Sequence, residues 1–220
     1  TAGREKKLLI SDMHSTMISH ECIDELADVV GLKDHVAAIT DRAMNGELDF
    51  KAALRERVAL LKGLTTADLE RVMRERITVM PGAITLVRTM KARGAYTVLV
   101  SGGFTFFTSR VAHAIGFDVD VANTLEMNDA CLTGTVKEPI LDKDTKRELL
   151  QHYCAAKNIL LESALAVGDG ANDLPMLLAA GTGIAYHAKP TVQAQAKARI
   201  NHADLSALLF VQGIPKSEWK

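Results

Sequence analysis

Three cysteines, five prolines, one tryptophan and an aromatic share of 5% are little for a chain of 220 residues. Cys22, Cys131 and Cys154 lie far apart, are odd in number and show no Cys-x-x-Cys spacing, which excludes a disulfide framework and a cysteine zinc site. Buried free thiols are expected instead. No window approaches the ~20 uninterrupted apolar residues of a membrane span, and the first residues, Thr-Ala-Gly-Arg-Glu-Lys-Lys, carry no signal-like stretch. A cytoplasmic protein is expected. An excess of one charge is missing too: 26 basic residues face 27 acidic ones, a formal net charge of -1. That balance excludes a broad electrostatic grip on nucleic acid or on a membrane surface, so any bound anion must be held locally. Internal repeats and low-complexity tracts are absent.

What is present is a 48% hydrophobic composition, ample for a buried core, in a length that suits one large domain carrying an insertion. Short apolar runs at Leu8-Leu9-Ile10, Tyr96–Val100, Ala164–Val167 and Gly183–Tyr186 read as buried strands separated by helical patterns. Such alternation predicts an α/β fold, a doubly wound parallel sheet with helices on both faces. Between Glu21 and Arg76 the texture changes to helical spacing alone, as in Ile23, Leu26, Ala27 and Val30, then Phe50, Leu54, Val58 and Leu61. Four short helices are expected, punctuated by Gly31, Gly46 and Gly63, with Thr65 or Thr66 capping the last. The division that follows is an α/β core of residues 1–18 and 78–220 and a helical cap of residues 19–77, inserted after the first strand. A β-hairpin is expected within Ala122–Thr133, a last helix within Asp204–Phe210, and frayed residues after it.

Ligands of open α/β sheets gather beyond the carboxyl ends of the strands, so polar residues directly after the apolar runs carry the chemistry. Four clusters qualify: Asp12-Met13-His14-Ser15-Thr16, Ser101-Gly102-Gly103, Lys146, and Gly168-Asp169-Gly170-Ala171-Asn172-Asp173. Taken singly, each has an ordinary explanation: a helix N-cap, a strand-to-helix turn, a surface lysine, an incomplete dinucleotide fingerprint. Together they answer one physical problem, the attack of an anionic carboxylate on an anionic phosphate monoester. Asp12 can attack phosphorus, Asp169 and Asp173 can hold Mg²⁺, Lys146 adds a second cation, and Ser101 with the Gly102 backbone can donate to the phosphate oxygens.

With these motifs in this order, the chain resembles the phosphoserine phosphatases of the haloacid dehalogenase-like superfamily from about Lys7 to Leu209. The similarity extends into the insertion, at Glu21-Cys22-Ile23-Asp24-Glu25, Ala43-Met44-Asn45-Gly46, Phe50 and Leu54-Arg55-Glu56-Arg57-Val58. The resemblance implies that Asp12 is the nucleophile. It implies Mg²⁺ ligands in Asp12, the main-chain carbonyl of His14 and Asp169, with Asp173 supporting the metal's water shell. Ser101, Gly102 and Lys146 are implied as phosphate binders and Asn172 as a neighbour of the transferred group. In the cap, Glu21 and Arg57 would hold the ammonium and carboxylate of phosphoserine, and Met44 and Phe50 would close the pocket. A zwitterion needs an anion for one end and a planar cationic fork for the other, which suits that assignment. A small phosphorylated amino acid is thus the expected partner, to a monomer or homodimer.

The family pattern places a second aspartate where this chain has His14, the position of the acid and base for the leaving oxygen and the attacking water. Three readings follow: a working histidine acid–base, direct ligation of the metal by His14, or a site, altered by nature or by design, that binds substrate and turns it over slowly. The last makes a phosphoserine-binding homologue without turnover the main rival. Ser11 is a milder departure, since its buried hydroxyl must find a partner. A receiver-type domain would not require the cap or the Glu21 and Arg57 pair, and a dinucleotide enzyme would require a complete glycine fingerprint after the first strand.

Overall fold

The computed structural model describes residues 3–44 and 47–220. Its strands are β1 (Leu8–Ser11), β2 (Tyr96–Phe104), β3 (Val119–Asn123), β4 (Leu125–Asn128), β5 (Cys131–Val136), β6 (Ala164–Gly168), β7 (Thr182–Tyr186) and β8 (Ala198–Ile200). Six of them form one sheet in the order β3-β2-β1-β6-β7-β8, every pair parallel. Successive side chains of a strand point to opposite faces, and β1 shows the consequence. Leu9 packs with Leu99, Leu165 and Ile184 on one face, and Leu8 and Ile10 pack with Val98, Val100 and Ala166 on the other.

The first face is covered by α5 (Ala83–Ala92), α6 (Thr105–Ile115) and α10 (Ala207–Val211), through Leu86, Val111 and Leu208. On the second face lie α7 (Lys143–Ala156), α8 (Leu174–Ala179) and α9 (Pro190–Gln193), through Leu150, Met176 and Val192. Two-sided burial is why β1 and β6 read as unbroken apolar runs, and the doubly wound expectation holds. The edge strands β3 and β8 were not legible, because a strand covered on few sides needs no continuous apolar run.

Between β1 and α5 run the four helices α1 (Cys22–Val29), α2 (Lys33–Met44), α3 (Phe50–Ala59) and α4 (Thr66–Glu75). Asp49 caps α3 by accepting from Lys51 and Ala52, and Thr65 with Asp68 forms a reciprocal capping box on α4. Leu26, Leu54, Leu61 and Leu69 join the same apolar cluster as Met13, Met17 and Ile18, the residues that leave β1. The expected punctuation at Gly46 lies outside the described residues.

Strands β4 and β5 form the expected hairpin, turned at Asp129 with φ 50°, but over Leu125–Val136, because Ala122 and Asn123 belong to β3 of the main sheet. It reaches the helical insertion: Gly63 donates to the Leu132 carbonyl at 2.9 Å, and Leu132 donates to Leu64 at 2.8 Å. Two further expectations are corrected here. Cys131 is exposed on the hairpin rather than buried, because it sits beside the turn, while Cys22 and Cys154 are buried and all three thiols are free. The C-terminus is not frayed: the Trp219 ring packs at a tilt against Phe210, and the Lys220 N–H donates to Thr89 Oγ1 at 2.8 Å.

Candidate active site

Strand β1 has β2 on one side and β6 on the other, so the chain leaves the ends of these strands in diverging directions and opens a crevice above Ser11. Asp12 enters that crevice with its N–H bonded to the Val167 carbonyl at 3.0 Å, which continues the β1–β6 ladder by one residue. The Ser11 hydroxyl, turned inward, donates to the Asp12 carbonyl at 2.7 Å, so the buried group is satisfied.

Lys146 arrives from the first turns of α7, whose start is fixed by the Asp142 cap. It is 3% exposed, and its Nζ donates to Asp12 Oδ1 and to Asp173 Oδ1, each at 2.6 Å. Burial alone would favour the neutral amine, but the two carboxylates outweigh it and hold the ammonium protonated, with its pKa raised. Asp173 Oδ2 accepts from the N–H groups of Asp169 at 3.1 Å and Gly170 at 3.0 Å. Its carboxyl folds back so closely that a Cβ on Gly168 would lie 2.5 Å from it, which makes Gly168 a steric requirement of the turn.

Asp169 completes the cluster, and Thr16 Oγ1 donates to its Oδ1 at 3.4 Å. Burial, then the neighbouring charges of Asp12 and Asp173, push its carboxyl up to about 7. Carboxylate oxygens of Asp12, Asp169 and Asp173 lie within 4.8 Å of one another. Hard oxygen donors this close repel one another unless a cation joins them, and they are the donors a small divalent ion takes. The donor set therefore fits Mg²⁺. The His14 ring is not part of this group: its Nδ1 faces Glu21 Oε2 at 3.4 Å, and its Nε2 is buried with no hydrogen-bond partner. The ring packs over Gly103 of β2, where a Cβ would stand 2.5 Å from His14 Cε1, so any side chain there would displace the imidazole.

Above the carboxylates opens a cavity of about 490 Å³. Asp12, His14 and Asp169 line its floor, and Glu21, Phe50 and Arg57 line the side contributed by the helical insertion. Ser101 and Lys146 line a smaller adjoining recess, and Gly102, Phe50 and Asn172 border both spaces. Asp173 is fully buried beneath them and lines neither. The Met44 side chain lies outside the described residues. Arg57 is anchored by its own helix, Nε to the Ala53 carbonyl at 3.2 Å, and by Thr40 Oγ1 at 3.4 Å from Nη1. Burial lowers its pKa, opposed by the charges of Asp24 and Glu21.

Sequence reasoning missed Asp24 and Thr40, which also line the cavity, and Asn123, which ties the Gly102 carbonyl to the Leu141 N–H. Asp24 and Thr40 sit on amphipathic helices where a polar residue is the ordinary solvent-facing choice. Asn123 falls within the stretch expected to be hairpin, and nothing in the sequence says that it ends a strand of the main sheet or what it meets.

The family model of haloacid dehalogenase-like hydrolases matches residues 9–178. A phosphoserine phosphatase from a Polaromonas species is 49% identical over 208 residues, covering 92% of this chain and 88% of that protein. Among solved structures, a substrate-bound phosphoserine phosphatase complex aligns with a TM-score of 0.86 at 38% identity, covering 94% of this chain and 98% of that one. A phospho-aspartyl intermediate analogue of phosphoserine phosphatase aligns at 0.85 with 39% identity and the same coverage of 94% and 98%.

Proposed function

Because the chain belongs to the haloacid dehalogenase-like hydrolases, we propose that it is a Mg²⁺-dependent phosphoserine phosphatase, which hydrolyses O-phospho-L-serine to L-serine and phosphate. The observation that carries the reading is the two-ended cavity. Its floor holds a carboxylate nucleophile clamped by a buried lysine, and its far side holds the Arg57 guanidinium beside the carboxylates of Glu21 and Asp24, groups of both signs for an amino acid's two charged ends. The same reading takes residues 19–77 as the cap and residues 1–18 and 78–220 as the catalytic core. It also places the protein in the cytoplasm as a monomer or homodimer; among the described residues no helix is long and apolar enough to cross a membrane.

In the first step an Asp12 carboxylate oxygen forms a bond to phosphorus as the bond from phosphorus to the serine oxygen breaks, giving an aspartyl-phosphate and a serine alkoxide that takes up a proton. In the second, water attacks the phosphoryl group, the Asp12 carboxylate leaves, and the water's proton departs. Asp12, Asp169 and the carbonyl of His14, supported by Asp173, would hold Mg²⁺, whose charge would neutralise that of the phosphoryl group. Lys146, with Ser101 and the Gly102 backbone, steadies the remaining phosphoryl oxygens, and Asn172 borders the transferred group. Glu21 faces the substrate ammonium and Arg57 its carboxylate, while Phe50, against Gly102, excludes water.

His14 takes the two proton transfers. Its Nδ1 faces Glu21, and its Nε2, buried beside Gly103 with no hydrogen-bond partner, is the nitrogen left to exchange a proton with the leaving oxygen and the attacking water. The rival, a pocket that holds phosphoserine without turnover, draws on the same contact, since a Glu21 carboxylate shared with His14 also holds the imidazole back. Phosphate release from phosphoserine with Mg²⁺, measured for the protein and for His14→Asp side by side, decides. Release by both supports the phosphatase and release only by His14→Asp supports the silent binder. Release by neither sinks the activity.

A further inference from the structure

The last residue of β3, Asn123, is 2% exposed, and its carboxamide spans two segments that meet the substrate pocket. Its Nδ2 donates to the Gly102 carbonyl at 2.8 Å and its Oδ1 accepts from the Leu141 N–H at 2.8 Å. A carbonyl can only accept and a backbone N–H can only donate, so a single orientation of the amide satisfies both. The side chain is needed because the pairing of β2 with β3 is irregular between Val100 and Phe104. The Gly102 carbonyl finds its partner in Asn123 instead of the ladder.

The Gly102 carbonyl and the Gly103 N–H are two ends of one peptide group. Gly103 N–H donates to Ser101 Oγ at 2.9 Å. A donor on the carbonyl polarises the peptide and strengthens its N–H as a donor, so the three bonds reinforce one another. A serine hydroxyl that accepts on this side turns its hydrogen to the other, where the recess lined by Lys146 and Gly102 lies. Leu141, held by the other arm, immediately precedes the Asp142 cap of the helix that carries Lys146. We propose that Asn123 is a positioning residue for phosphoryl binding: through the Gly102–Gly103 peptide it holds the Ser101 hydroxyl as a donor to the substrate's phosphoryl oxygen. The proposal deepens the phosphatase reading and rests on it only for the identity of the phosphorylated group.

The test is a double-mutant cycle read by calorimetric binding of inorganic phosphate in Mg²⁺, with KM and kcat for phosphoserine alongside. Asn123→Ala is expected to weaken phosphate binding about tenfold, the size of a hydrogen bond to a charged acceptor. In a Ser101→Ala background the same change is expected to cost no more than about twofold, since its effect travels through the Ser101 hydroxyl. Equal losses in both backgrounds, or unchanged affinity in the first, overturn the proposal. If Asn123→Ala does not fold, Asn123→Ser replaces it, too short to reach the Gly102 carbonyl. Failure of both to fold overturns the proposal as well, since the amide would then be a bolt of the fold. A protein that binds phosphate and shows the coupling but leaves phosphoserine intact would sink the activity and spare this inference. One that binds no phosphate sinks both.

Discussion

The floor and the far side of the cavity are built on opposite principles. On the floor, Lys146, Asp12 and Asp173 have side chains 4%, 7% and 0% exposed and are joined by two 2.6 Å bonds. At the far side, the Glu21 side chain is 49% exposed, and Arg57 is held by one carbonyl and one hydroxyl at 3.2 and 3.4 Å. Charges out of water act strongly and cannot be left unanswered, whereas half-solvated charges act weakly and can be altered one at a time. The floor is therefore obligate machinery and the far side is tunable. His14 joins them, pressed on Gly103 below and reaching Glu21 above.

The contrast breaks first at Lys146. Lys146→Met leaves Asp12 and Asp173 buried without their cation, so stability should fall by about 3–5 kcal/mol in urea titrations, with phosphoserine turnover abolished. A loss below about 1 kcal/mol would mean that the floor is wetter than its geometry indicates. Next comes the junction: His14→Ala removes the group that takes both proton transfers, so steady-state phosphate release from phosphoserine should fall by ~10²–10⁴-fold. Arg57→Lys, at the tunable end, should raise KM for phosphoserine roughly tenfold and leave KM for p-nitrophenyl phosphate unchanged, because only the former offers a carboxylate to a bidentate fork. Equal changes for both substrates would move Arg57 into the phosphoryl site.

Asp169 adds a pH dependence to the floor. Its folded pKa of about 7 lies above the ~3.9 of an unfolded aspartate. Its stabilising contribution is therefore complete below about pH 4 and is lost as pH rises through about 7. A divalent ion takes the carboxylate form and reverses that loss, so Mg²⁺ should raise Tm more at pH 8 than at pH 6. Equal shifts would place the ion elsewhere. Smallest is Thr65→Ala, which removes the capping box where the insertion meets the hairpin. It should cost ~1 kcal/mol of stability without changing kcat.

Much of the floor could be read along the chain. Asp12, Ser101 and Asp169 each follow an apolar run, and two-sided burial makes such runs legible. Thr65, three residues before Asp68, announced its helix in the same way. The edge strands β3 and β8 were hidden because edges tolerate polar residues, and with β3 went Asn123. Trp219 was hidden because nothing local tells a terminal tryptophan that it will find Phe210.

By itself the sequence determined the alternation of strands and helices, the place of the helical insertion and the kinds of groups at the strand ends, since period and residue type are local properties. Only the tertiary structure decided that Lys146 reaches both Asp12 and Asp173, that His14 turns to Glu21 over Gly103, and that Asn123 grips the Gly102 carbonyl. Those contacts join residues far apart in the chain, and their partners are chosen by how the sheet and helices pack, which no local pattern encodes.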